Sequence, residues 1–176
     1  LKFQPLPDQN GAVTVTVTVA DVAGASVSHG FQLKVYSVND SPSVASPIAD
    51  IVVFEDSVET VVDLAGVFAD VDIQTNQDIL SFSVDFTGGD SLLSYGLDGS
   101  QLKFQPLPDR SGVVMVMVTA TDTQNARETE EFSFTVTPVN DQPIVVGSID
   151  PVTVNRGVDD VRIDLSPVFL DRDIML

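Results

Sequence analysis

The chain has 176 residues, with 26 acidic against 8 basic side chains and a formal net charge of -18. That balance repels nucleic acid and anionic lipid and attracts cations, which makes a divalent metal the partner to expect. Cysteine is absent, excluding disulfides and thiol catalysis, and no apolar run reaches the length of a membrane span, so no direct membrane insertion is expected of this segment.

In chain order, Val13 to Val19 alternates valine with threonine, which at a period of two places the valines on one face of a strand. Further strands are predicted over 51–54, 58–63, 80–86, 92–95, 101–105, 113–120 and 132–139. Turns are marked by Thr87-Gly88-Gly89-Asp90, Leu97-Asp98-Gly99 and Asp109-Arg110-Ser111-Gly112. No stretch has a helical period. Seven short strands without alternating helices point to an all-β fold, a seven-stranded Greek-key sandwich of immunoglobulin-like type. Its core is expected to hold Phe82, Val114, Val116, Val118, Phe132, Phe134 and Val136. Met115 and Met117, on the outward face of their strand, are expected to lie under a neighbouring loop. Pro106 and Pro108 lack the backbone donor a ladder needs, which places the end of the 101–105 strand at an edge or a bend.

The chain also repeats itself. Leu1 to Asp8 returns letter for letter as Leu102 to Asp109, and Val38-Asn39-Asp40 returns as Val139-Asn140-Asp141, at an unbroken offset of 101 residues. The Asn-Asp pairs are read as hinges. They divide the chain into the latter part of one repeat (1–40), a whole repeat (41–141) and the first part of a third (142–176), a segment of a longer tandem array.

Each hinge is followed by a D-x-D triplet, Asp70-Val71-Asp72 or Asp171-Arg172-Asp173. Alternate residues of a turning loop can aim two carboxylates at one point, and a hard cation such as Ca²⁺ requires six to eight oxygens. Other polar residues carry less. His29 has no equivalent in the next repeat, Tyr95 is the kind of residue that sits at a core or rim, and Gly88-Gly89 precedes no helix that could hold a phosphate.

Val-Asn-Asp-x-Pro at the domain end, Phe-x-Asp-x-Asp after the second strand and Ala120-Thr121-Asp122 together resemble the tandem cadherin-like repeats of large bacterial surface adhesins and exoproteins. The resemblance implies calcium between successive domains. Carried over residue by residue, it assigns Asn39, Asp40, Asp70, Asp72 and Asp122 to the first junction. Glu55, Asn140, Asp141, Asp171 and Asp173 go to the second, and Arg156 replaces the Glu55 equivalent in the third repeat. The implied role is non-catalytic: a calcium-stiffened spacer, filament or adhesin stalk, secreted or on a bacterial surface. Its partners would be neighbouring repeats of the chain, like chains in a fibre, or cell-surface glycans. The alternative is a calcium-dependent carbohydrate-binding module, which the scarcity of aromatic residues disfavours.

Overall fold

A computed structural model describes residues 1–88, 91–157 and 160–175. The chain is nearly all-β. Alternating valines and threonines form β1 (Gly11–Ala20), which pairs antiparallel with the equally long β2 (Ser26–Val35) in a register that sets Val15 opposite Phe31. Two-residue strands β3 (Ser43–Val44) and β6 (Phe68–Ala69) pair just beyond the first hinge.

The middle repeat supplies the rest. β4 (Ile51–Phe54), β11 (Arg127–Thr137), β10 (Gly112–Thr121) and β7 (Ser81–Thr87) form one sheet in that order, with β4 parallel to β11. β5 (Thr60–Asp63), β9 (Gln101–Pro106) and β8 (Leu93–Asp98) form the other. The expected inward valines and phenylalanines of β10 and β11 are buried, joined by Leu64, Leu102, Phe104 and Pro106. Phe104 packs its ring 4.9 Å from Phe134 and 6.1 Å from Phe132. At about 1.5 to 3 kcal/mol for each large side chain removed from water, this cluster holds the sandwich without disulfides. Phe82 is only half-buried, with its ring against Phe68.

Of the two places expected for the end of the 101–105 strand, an edge or a bend, the structure has the bend: β9 runs between β5 and β8, and Pro106 closes it by pairing with Leu93. The proline is tolerated because it is the last residue of the ladder, and the chain then bends at Pro108-Asp109, where Asp109 has φ 56°. Other sequence expectations need correction. β5 begins at Thr60 rather than 58, because Asp56 turns the chain at φ 62° and Ser57 N–H bonds back to the Phe54 carbonyl. β11 starts five residues before Phe132, since the turn at Asn125 carries the polar stretch from Arg127 into the hairpin. A single α-helical turn, α1 (Asp72–Thr75), was missed; at four residues it is too short to show a period. Met115 and Met117 are half-buried. The predicted turn at Thr87 to Asp90 lies partly outside the described residues.

Inter-residue contacts group the chain into two compact units. One comprises Leu1–Ile48, Asp63–Val84 and Val118–Glu130; the other comprises Ala49–Val62, Asp85–Met117 and Glu131–Leu176. The first contains the Asn39 hinge and the second the Asn140 hinge. Among the described residues no helix is long and apolar enough to cross a membrane.

Candidate metal centres

The first centre is built around α1. Asp70, just before the helix, accepts from Asp72 N–H at 2.8 Å, which curls the triplet and turns both carboxylates inward. Asp72 in turn accepts the hinge's Asp40 N–H at 2.8 Å through Oδ2, while Thr75 and Asn76 bond its Oδ1. Asn76 is itself bonded by Asn10, from the loop before β1.

From the far end of β10 comes Asp122. Its Oδ1 accepts the N–H groups of Gln124 and Ala126, and its Oδ2 accepts from Asn39 Nδ2 at 2.8 Å. Asp78 completes the group, held by the N–H groups of Ile79 and Thr123. Asp70, Asp78 and Asp122 are all buried and present ligand atoms within 4.8 Å of one another. Like charges at that separation repel by on the order of 3 kcal/mol per pair at an effective dielectric of 20. Burial and the Asp72, Asp78 and Asp122 charges accordingly push the Asp70 carboxyl above its usual range, against the Asp72 N–H that pulls it down.

The decisive feature is polar satisfaction. Asp70 Oδ2, Asp78 Oδ2 and Asn39 Oδ1 are buried without a hydrogen-bond partner. A buried acceptor left bare costs about 1 to 3 kcal/mol, more when charged. Bare oxygens of the hard type on Asp70 and Asp78, two of the three carboxylates that gather within 4.8 Å, fit a Ca²⁺-like ion, and Asn39 is tied to the third, Asp122, through Nδ2.

The second centre copies part of this geometry. Asp173 Oδ2 accepts Asp141 N–H at 2.8 Å, and Asp171 Oδ1 accepts Asp173 N–H at 3.1 Å. The two hinge asparagines each bond the next residue's carbonyl at 2.9 Å. Glu55, at 2% exposure, accepts Val139 N–H at 2.8 Å through Oε1, and its Oε2 has no partner. Partial burial is the main cause of a raised Asp141 carboxyl, reinforced by contact with Asp109 and by the Asp173 and Asp56 charges.

The structure thus brings Asn39, Asp70, Asp72 and Asp122 together at the first junction, with the hinge tied in by Asp40 through its backbone; the Asp40 side chain is exposed. At the second, Asp141, Asp171 and Asp173 form one network, Glu55 reaches the hinge at Val139, and the Asn140 side chain is exposed. Sequence reading missed Asp78, Asp109 and Asp56. Asp109 was within reach, because it ends the octapeptide repeated from Asp8. Asp78 has no counterpart in the chain to mark it.

A cleft of about 340 Å³ beside the first junction is lined by Pro5, Leu6, Asp8 and the exposed Tyr36. In the middle repeat Thr137, the counterpart of Tyr36, accepts Glu55 N–H through its carbonyl. Tyr95 packs 4.6 Å from Phe86, as a rim residue would.

No protein-family profile matches the sequence, and no curated protein does. Solved structures do. Human mucin-like protocadherin EC1-2 superposes with a TM-score of 0.56 at 18% identity, covering 79% of this chain and 74% of that one. Mouse cadherin-23 EC22-24 gives 0.51 at 20% identity over 73% of this chain, and PcdhgB3 EC1-4 gives 0.53 at 16% over 78%. The chain spans 43% and 34% of those two structures. At such identities the likeness establishes the fold, that of cadherin extracellular domains.

Proposed function

We propose that this chain is a non-catalytic, extracellular segment of tandem cadherin-like repeats, bounded at residues 40 and 141, in which calcium at each hinge stiffens a surface adhesin stalk or spacer. The observation that carries the reading is the hinge cluster of Asp70, Asp78 and Asp122, with bare buried oxygens on Asp70, Asp78 and Asn39. Asn39, Asp70, Asp72, Asp78 and Asp122 would hold the first ion. Glu55, Asp109, Asp141, Asp171 and Asp173 would hold the second. The ion supplies positive charge that reverses carboxylate repulsion. The residues supply the coupling: Asp72 and Asp173 already grip the hinge backbone through Asp40 and Asp141 N–H, so ordering the triplet orders the hinge. Cadherin-domain structures as neighbours favour an adhesive setting, at the cell surface or secreted, and the bacterial assignment rests on the sequence resemblance.

Calcium titration calorimetry and small-angle scattering test this directly. Native protein should take up calcium in the micromolar to millimolar range of sensor and extracellular sites and become more extended. Asp70→Ala with Asp72→Ala should abolish uptake at the first junction. Unchanged flexibility with and without calcium would remove the stiffening role.

A further inference from the structure

The two junctions differ in charge at the middle position of the D-x-D triplet. Arg172 stands between Asp171 and Asp173, where the first junction has Val71 between Asp70 and Asp72. Arg172 Nη1 donates to Asp109 Oδ2 at 2.9 Å. Asp109 belongs to the turn that ends β9 in the middle repeat, and Arg172 follows the second hinge, so this ion pair closes across that hinge. The counterparts at the first junction are Asp8 and Val71, which cannot form it.

We propose that Arg172 is a built-in cation of the second junction, tying the Asp171–Asp173 loop to Asp109 and lowering that hinge's demand for a divalent ion. The two hinges would then stiffen at different cation concentrations. A lone exposed ion pair contributes little, and both partners here are partly open to solvent. This guanidinium, however, engages Asp109, the carboxylate that crowds Asp141 beside Asp173 and Asp56, and so places its charge on a member of an acidic group. Arginine suits the task because it stays charged at any working pH and holds a planar fork toward a carboxylate. For its calcium dependence the inference rests on the proposed calcium function; the tether itself does not.

The test uses the full chain, which has no cysteine of its own. Nitroxide labels at Glu131→Cys and Thr153→Cys, both exposed positions, report distances across the second junction. In chelator, the distribution should be narrow in the parent and broader in both Arg172→Val and Asp109→Asn. In an Asp70→Ala, Asp72→Ala background, which isolates the second junction, Arg172→Val should tighten calcium binding about three- to ten-fold by removing one like charge near the ion. Val71→Arg should weaken it at the first junction by a similar factor. Equal widths in chelator for parent and both variants would overturn the tether. Absence of calcium uptake in every variant, with the chelator narrowing retained, would remove the calcium function and leave the tether standing.

Discussion

The two Asn-Asp junctions of this chain are near copies in their backbone contacts and differ in the side chains around them. Both tie the hinge backbone to the second aspartate of a D-x-D triplet at the same 2.8 Å. At the first, buried carboxylates crowd together and three oxygens are bare, with no ion pair to a basic side chain among the described residues. At the second, an arginine has entered the triplet and engaged a carboxylate of the preceding repeat. A repeat can keep its backbone wiring, which depends on main-chain groups, while single side chains change the electrostatic response of each hinge.

The largest expected difference is in metal-linked stability. With calcium at 100 times its dissociation constant, each occupied site should add about 2.7 kcal/mol. Asp70→Ala with Asp72→Ala should erase the first site's share and leave the second's, read as the shift in melting temperature between calcium and chelator. A calcium shift that survives intact in this double variant would break the assignment.

Next in size are Asp78 and Asp109, the two residues that the folded chain adds to the proposed sites. Asp78→Asn should weaken calcium binding at the first junction about ten-fold, and Asp109→Asn should act on the second alone, because affinity follows the charge count of the ligands. Titrations in which either variant affects both junctions equally would show that the sites are not separate.

Acid should then act on both together. The Asp70 and Asp141 carboxyls are held above their usual range, chiefly by burial, so protons compete with the cation at a higher pH than for an ordinary carboxylate. Calcium affinity should fall as pH drops through those raised values, and calorimetry at two pH values in one buffer series would detect it. A pH-independent affinity would contradict it.

The smallest effect concerns a difference away from the hinges. Asp50 has Pro151 as its counterpart, and its carboxylate accepts Ser133 N–H at 2.8 Å, which lowers its pKa. A depressed folded-state value means its contribution is present above the unfolded pKa and is lost as pH falls through the folded one. Asp50→Asn should flatten that part of the acid limb in urea titrations, with little change near neutrality; an unchanged acid limb would remove this contribution.

Buried and exposed copies of one motif show where sequence reasoning stops. Val114 and Val118 are fully buried in the middle repeat, yet Val13 and Val17, at the same register, are more than 40% exposed. Val13, Val15 and Val17 recur as Val114, Val116 and Val118, while the outward Thr14 and Thr16 become Met115 and Met117. Burial depends on which strands lie opposite, and the alternation carries no record of that.

By itself, the sequence determined the repeat, the strand period, the inward set of β10 and β11 and the carboxylates flanking each hinge. All of these follow from local alternation or from comparing the chain with itself. Only the tertiary structure decided that β9 is central, that Asp78 joins Asp122 through Thr123, and that Asp109 meets Arg172. The physical reason is chain connectivity. These contacts join loops dozens of residues apart, and their positions are set by how the strands between them order into sheets, which local periodicity does not encode.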